Sequence, residues 1–423
     1  ALVRATSIDA TVPPAWSRWR SWESLVGGWS AVVALPLLAI AAIVLGVVAW
    51  SLVGHVRDRR GINVVGYHSI TAGLGERTRE LTASLRDVGV PVAAYDLDVT
   101  SAREGEQLAT PAERYDTTIV VAPAFEVGKA ERAHPSLFDG RRLVAGYWFW
   151  ELDEIPEAHR SGLELVDEVW APTRFVRDAY AGATDRPVRH VPLAIAEPHV
   201  AEVERADLGL GDDDFVVVVS FSHLSVMERK NPLGAIEAFR RAFPDAAGAD
   251  ARARLVIKTI NAELKRDDAR RLRSAAAGDD RIEVRDGRVD HAALMALVRA
   301  ADVFLGLHRS EGLGVQIADA LWLGTPVVAT DYGGSTDLID ASCAEVVPAS
   351  RTPVRNGDGA YPGTMSWADP DLDAAAAALR RIADDPDHTA QLAAAGRHRM
   401  AAGVDRGAAG RAVARLARCP SRP

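Results

Sequence analysis

The sequence predicts an α/β fold of two doubly wound domains in tandem, preceded by one hydrophobic helix. The chain has 423 residues, more than the ~250–300 at which a single hydrophobic core stops growing. From residue 61 onward, short β-branched runs alternate with helical patterns, and an uncharged apolar run occupies residues 31–54. Because uniformly apolar strands separated by helices are typical of parallel sheets with both faces covered, each domain is predicted to contain such a sheet.

The apolar run at residues 31–54, which follows an N-terminal segment of residues 1–30, is interpreted as a transmembrane helix. It slightly exceeds the ~20 residues that span a bilayer, and Trp29 and Trp50 lie near its ends, as interfacial aromatics do. Basic residues slightly favour its C-terminal side, which predicts a membrane-anchored protein with its main body in the cytoplasm. A helix buried in the protein is the alternative.

The first domain, residues 61–200, is predicted to contain six strands. A helix with one apolar face is expected over Glu76–Val88, and Thr173 is expected to cap a helix over Arg174–Tyr180. The predicted strands are Ile62–Tyr67, Val90–Leu97, Thr117–Ala122, Leu143–Phe149, Glu168–Ala171 and Val188–Leu193.

The second domain, residues 212–380, repeats this alternation after an acidic linker at Ala194–Asp214. Its predicted strands are Phe215–Phe221, Leu255–Ile260, Ile282–Arg285, Val303–Leu307 and Pro326–Thr330. The helices expected between them are Pro232–Phe243, Glu263–Ala277, Asp290–Ala301 and Val315–Leu323. From Asp371 the chain is predicted to form two Ala-rich helices broken around Pro386, and residues 381–423 are interpreted as a helical tail.

Composition narrows the possible functions. The net charge of −9 without a compensating basic run argues against nucleic-acid binding. The two cysteines, Cys343 and Cys419, do not have the spacing of a zinc site or a disulfide framework. The acids of Asp96-Leu97-Asp98 are interpreted as strand-end residues, so no metal site is predicted.

The candidate site lies in the stretch from His308 to Asp337, directly after a predicted strand. Glu311 is followed by Gly312 and Gly314, which allow the backbone to approach a ligand closely. A helix then begins near Val315, and its free N–H groups suit a phosphate. Asp319 lies one turn inside that helix and is expected to face the same side, although a capping Glu311 and a solvated Asp319 are the simpler alternative.

This string resembles the signature of the retaining glycosyltransferases of family 4: an acid, seven residues and a second acid, then Ala320-x-x-x-Gly324-x-Pro326-Val327-Val328-Ala329. The resemblance implies a GT-B architecture of two Rossmann-like domains, with a nucleotide sugar as co-substrate and no other cofactor. It places Glu311 on the transferred sugar and Asp319, a Glu in most members, on the ribose hydroxyls. The remaining residues that it places around the donor are His308, Gly312, Leu313, Gly314, Gly333 and Gly334.

A second match covers residues 222–239, where Ser222 begins the element and Glu237-Ala238-Phe239 ends it. Lys230 has the spacing of the family lysine and is predicted to contact the diphosphate. The family arginine lies earlier, where this chain has Ser225, so Arg229 is expected to supply its charge from another position. An exposed basic pair at a helix start is the alternative, but that pair is unfavourable beside the helix dipole unless an anion is present.

The first domain resembles the family more loosely. Gly73 and Gly75 lie in a glycine loop like the one that approaches the donor in family members. Trp150-Glu151 stands where many members have a histidine, so Glu151 is expected to supply the polar contact. The aromatic residues of Trp148-Phe149-Trp150 suit either stacking on a sugar acceptor or core packing, and Arg174 is expected near the cleft.

These residues predict transfer of a sugar, with retention, to a cell-envelope glycan or lipid-linked acceptor. Two alternatives stay open at this point. A nicotinamide-dependent dehydrogenase is suggested by Gly73-x-Gly75 with Asp96 further on, although Thr78 replaces the third glycine of that fingerprint. A membrane-tethered scaffold without activity is the other, but the site acids are intact.

Overall fold

The computed structural model describes residues 37–47, 60–70, 73–97 and 115–418. The chain separates into two compact units, one ending at Arg59 and the other beginning at Arg60. In the first unit residues 37–47 are helical and exposed. No helix in the described ranges is both long enough and apolar enough to cross a membrane. The rest of the predicted membrane helix at 31–54, and residues 1–30, lie outside the described ranges.

The unit from Arg60 contains two six-stranded parallel sheets. In the first sheet the strand order is β2-β1-β3-β4-β5-β6. Its strands are β1 (Ile62–Gly66), β2 (Val92–Asp96), β3 (Thr117–Val121), β4 (Leu143–Tyr147), β5 (Glu168–Ala171) and β6 (Val188–His190). The helices are α1 (Leu74–Asp87), α2 (Val127–Ala133), α3 (Arg160–Glu164) and α4 (Arg174–Ala181).

In the second sheet the order is β12-β11-β10-β7-β8-β9. Its strands are β7 (Phe215–Ser222), β8 (Ala253–Ile260), β9 (Ile282–Asp286), β10 (Val303–Gly306), β11 (Val327–Thr330) and β12 (Glu345–Val347). The helices are α5 (Met227–Lys230), α6 (Pro232–Ala242), α7 (Arg266–Ala276), α8 (His291–Ala300) and α9 (Val315–Leu323). The two sheets confirm the prediction of two tandem doubly wound α/β domains.

Local details follow the sequence closely. Thr173 caps α4 as predicted, because its Oγ1 accepts a hydrogen bond from the Val176 N–H. The helix expected over Glu263–Ala277 is shorter: α7 begins only at Arg266, after a single 3₁₀ turn. The left-handed conformation of Asn261, with φ of 64°, redirects the chain just before that turn.

Four elements of the second half were not predicted: the short helix α5, the strand β12, a hairpin and the last helix. An antiparallel hairpin joins β13 (Ala349–Pro353) to β14 (Ser366–Pro370). It is followed by α10 (Leu372–Asp384), α11 (Pro386–Ala401) and a third helix, α12 (Arg406–Leu416). Tyr361 and Trp367 of the hairpin region pack into the core of the first domain with Trp150.

The last helix returns to the first domain. Val413 of α12 packs with Leu81 and Leu85 of α1 in one buried cluster. Gly410 makes this close approach possible, since an added Cβ would lie 2.0 Å from the backbone oxygen of Ser84. The C-terminal helices therefore connect the two domains.

Candidate active site

The site is built by two glycine-containing loops that follow neighbouring parallel strands. The loop after β10 carries Glu311 and Gly312, and the loop after β11 carries Gly333 and Gly334. The Gly334 N–H donates to the Glu311 backbone oxygen at 2.6 Å. A Cβ on Gly334 would lie 1.9 Å from the Gly312 oxygen, and one on Gly333 would lie 2.5 Å from the Glu311 oxygen. Only glycine allows the two loops to meet so closely.

Lys230 and Glu311 form the central ion pair of the site. The Lys230 Nζ lies 2.5 Å from Glu311 Oε2, and the Arg229 guanidinium lies 3.6 Å from the same oxygen. Lys230 ends α5, and Asn231 follows it in the left-handed conformation. The Asn231 side chain donates to the Leu307 backbone oxygen at 3.0 Å. This bond ties the lysine segment to the loop that carries Glu311.

Arg229 is held in place from two sides. Its guanidinium donates to the Ser310 backbone oxygen at 2.9 Å and to the Ser225 hydroxyl at 2.7 Å. The resemblance places the family arginine at Ser225, and here the guanidinium of Arg229 reaches that serine. The Arg229 guanidinium therefore lies beside the position of the family arginine.

The charged side chains of the cluster shift one another's pKa values. Burial alone would raise the pKa of Glu311, but Lys230 and Arg229 together lower it to about 2. Burial lowers the pKa of the Lys230 ammonium, and Glu311 opposes that shift. The Glu151 carboxylate also acts on Arg229 and Lys230, so two carboxylates lie near the two cations.

Lys230 and Glu311 line an open cleft. The helix α9 begins in this cleft, and Gly314 precedes it with φ of +86°. The first N–H groups of a helix lack acceptors within it, and its dipole is positive at that end, so this wall also favours an anion. The polar side chains in the lining are Ser220, Lys230, His308, Glu311 and Gln316.

His308 supports the loops rather than adding charge to the cleft. Its Nε2 lies 2.9 Å from the Tyr332 backbone oxygen and 3.2 Å from the Ser335 hydroxyl. Burial lowers the pKa of His308, so the imidazole is neutral at pH 7. The predicted site residue is therefore present at the cleft wall, where its Nε2 is bonded to the loop after β11.

Asp319 has a partner that sequence reasoning missed. Its carboxylate is buried, and Oδ2 lies 3.8 Å from Nε2 of His291, the first residue of α8. His291 and Asp319 are on different helices, so no sequence spacing relates them. The only available signal was a histidine directly after Asp290, which caps α8.

The first domain contributes Glu151, which accepts a hydrogen bond from the Tyr361 hydroxyl at 3.1 Å. Tyr361 in turn packs under Arg229, with 6.0 Å between the guanidinium carbon and the ring centre. Trp148 and Trp150 are buried in the core. Their burial favours core packing over stacking on a sugar acceptor. An added Cβ on Gly312 would lie 2.7 Å from the Trp150 oxygen, so the loops of the two domains are in contact.

Other predicted residues serve the fold around the site. An added Cβ on Gly75 would lie 2.0 Å from the Ile70 oxygen, so this glycine allows the loop to pack on α1. Gly73 has φ of +55° and open space around it. The Ser222 hydroxyl oxygen accepts from Asn261 at 3.0 Å. Leu313 is buried.

Of the two acids beside Leu97, Asp98 lies outside the described residues. Asp96 is buried, and neither of its carboxylate oxygens has a hydrogen-bond partner among the residues that the structure describes. Within the part of the chain that the structure describes, no group of His, Cys, Asp or Glu is arranged to hold a metal ion.

The chain matches the model of a known family. A family model described as family 4 glycosyltransferase in conflict systems matches residues 177–413, which is more than half of the chain. The chain belongs to the family 4 glycosyltransferases. A search of curated proteins by sequence finds no match.

Solved structures confirm the GT-B fold of this glycosyltransferase. HepE of Anabaena, crystallised with UDP and glucose, is 14% identical with a TM-score of 0.58, over 84% of this chain and 99% of its own. Sucrose-phosphate synthase of Thermosynechococcus elongatus is 18% identical with a TM-score of 0.62, over 85% and 98%. WaaG, a glycosyltransferase involved in lipopolysaccharide biosynthesis, is 15% identical with a TM-score of 0.53, over 84% and 99%.

Proposed function

We propose that this glycosyltransferase takes its sugar from a nucleoside diphosphate sugar bound at Lys230, Arg229 and Glu311. The observation that supports this proposal is the contact of Lys230 and Arg229 with the Glu311 carboxylate, near the start of α9. A diphosphate leaving group carries negative charge that Lys230, Arg229 and the positive end of α9 can stabilise together. The family membership supports the same class of reaction.

The geometry assigns each group a part in the transfer. Bond cleavage between the sugar and the diphosphate develops negative charge on the leaving oxygen, and preorganised donors stabilise it. Lys230, Arg229 and the N–H groups at the start of α9 supply that stabilisation. Glu311 remains ionised beside them and is assigned to the sugar. Retention of configuration, and transfer without a metal ion, are proposed from the family resemblance.

We further propose UDP as the nucleotide and a cell-envelope glycan or lipid-linked sugar as the acceptor. The UDP bound to HepE supports the first choice, and the role of WaaG in lipopolysaccharide biosynthesis supports the second. An acceptor of this kind suits a body anchored at the cytoplasmic side of a membrane through residues 31–54. Glu151 is assigned to the donor sugar, because its carboxylate lies near the Arg229 charge.

Donor hydrolysis and nucleotide binding test the proposal. Purified protein is titrated with UDP, GDP and ADP, and hydrolysis is followed with the matching glucose and N-acetylglucosamine donors, with and without EDTA. We expect one nucleotide to bind selectively and its donor to turn over in EDTA. Glu311→Ala should abolish turnover with the fold intact, whereas Lys129→Ala, an exposed lysine of the first domain, should not change it. Full activity of Glu311→Ala would refute the assignment.

A further inference from the structure

A second polar pair joins His291, at the start of α8, to Asp319, within α9. Asp290 caps α8 by accepting from the Ala293 N–H at 2.7 Å. Asp290 is therefore engaged in the cap, and His291 directs its ring toward Asp319, with 3.8 Å between Nε2 and Oδ2. The side chain of Asp319 is 7% exposed and that of His291 is 48% exposed.

The position of Asp319 along α9 relates this pair to the diphosphate site. Val315 lines the cleft, and Asp319 follows it by four residues, so both occupy one face of the helix. At 1.5 Å per residue, Asp319 lies about 7.5 Å along the axis from Gly314 at the helix start. That span matches the extension of a nucleotide from its diphosphate to its ribose. A diphosphate at the start of α9 therefore brings the sugar of its nucleoside close to Asp319.

The first domain approaches the same pair. The nearby Asp319 carboxylate raises the pKa of His291, and burial opposes that shift. Glu76 raises that pKa further, and Arg77 lowers it. Glu76 and Arg77 lie in the first turn of α1, directly after the glycine loop of the first domain. His291 thus faces both a buried carboxylate and the other domain.

The Asp319 side chain is one methylene shorter than the Glu of most family members, and His291 lies beside it. Asp319 keeps its carboxylate nearly covered by the protein, while the imidazole occupies the accessible side. A ligand hydroxyl that reaches Asp319 therefore also contacts the His291 ring. A carboxylate accepts a hydrogen bond from a hydroxyl, and an imidazole N–H donates one to the same oxygen.

We propose that His291 is a nucleotide-recognition residue that holds the ribose hydroxyls together with Asp319. The inference rests on the proposed function, since it assumes a nucleoside diphosphate at Lys230. The spacing of Glu311 and Asp319 in the sequence does not point to His291. It also accounts for an aspartate at this position, because the histidine supplies the reach that the shorter side chain lacks.

Ribose analogues separate this role from a structural one. Binding of UDP, 2′-deoxy-UDP, 3′-deoxy-UDP and inorganic pyrophosphate is measured calorimetrically on the full chain, with GDP analogues if the nucleotide panel selects GDP. The wild type should prefer the ribonucleotide over at least one deoxy analogue by about tenfold, the equivalent of one hydrogen bond of ~1.4 kcal/mol. His291→Ala should lose that preference and bind pyrophosphate as the wild type does.

A matched pair of variants completes the test. His291→Gln retains a donor and should keep part of the preference, and Asp319→Glu combined with His291→Ala should restore it through the longer acid. Lys230→Met should instead weaken all four ligands alike. Unchanged ribose discrimination in His291→Ala would overturn this inference alone. Failure of the wild type to bind any nucleoside diphosphate would overturn the proposed function as well.

Discussion

Lys230 Nζ and Glu311 Oε2 lie 2.5 Å apart although 81 residues separate them in the chain. Each residue lies in the segment after a different strand of one parallel sheet, and the carboxyl ends of such strands share one edge. The ion pair is therefore a consequence of strand order, with β10 directly beside β7.

The charge of Lys230 should matter more for turnover than for folding. In Lys230→Met the stem is kept, and Arg229 still neutralises Glu311. Loss of one preorganised charge should reduce donor turnover by roughly 10²–10³-fold, with a small change in melting temperature. Turnover and thermal unfolding are measured in parallel with Lys129→Met as the exposed control. Wild-type turnover in Lys230→Met would argue against a diphosphate at this position.

Acid should remove the stability that Glu311 contributes. Its pKa in the folded protein is about 2, against an ordinary value of 4.5. The contribution is therefore fully present above pH 4.5 and is lost as the pH falls toward 2. Urea unfolding at several pH values should show wild type and Glu311→Gln converging over this window. Parallel curves for the two proteins would show that the carboxylate is not stabilised by its neighbours.

Gly334→Ala should separate the two loops of the site. The added Cβ would meet the Gly312 oxygen at 1.9 Å, so one loop must move. We expect a loss of about 1–3 kcal/mol of stability, as for overpacked cores, together with weaker nucleotide binding. Gly363→Ala is the control, because its nearest atom would be the Val354 oxygen at 3.7 Å. Equal melting temperatures for the two variants would contradict the close approach.

Gly410→Ala should weaken the contact of α12 with the first domain. An added Cβ there would lie 2.0 Å from the Ser84 oxygen, a backbone atom that cannot turn away. At Gly407, one turn earlier, the nearest atom is the end of the Arg411 side chain at 3.1 Å. Hydrogen exchange in α12 should therefore rise in Gly410→Ala and remain near wild type in Gly407→Ala. The reverse order would show that the helix does not rely on this glycine.

Much of the candidate site was predictable because its residues stand beside local signals. Glu311, Gly312 and Gly314 lie between an apolar strand and a helix start, and Lys230 precedes a Pro that begins a helix. Their chemistry follows from position alone, since strand ends and helix starts are where α/β sheets bind ligands. His291 and Tyr361 have no such signal. Each becomes relevant only through a partner on another element.

The fold shows the same division. Alternating strands and helices in the sequence determined two parallel sheets, because buried strands and amphipathic helices have different hydrophobic periods. The sequence also identified the acids and the basic pair as candidate site residues, because α/β sheets bind ligands beyond the carboxyl ends of their strands. The hairpin β13–β14 and the return of α12 to α1 were decided by the tertiary structure. Their apolar faces are short, and only the neighbouring domain shows what covers them.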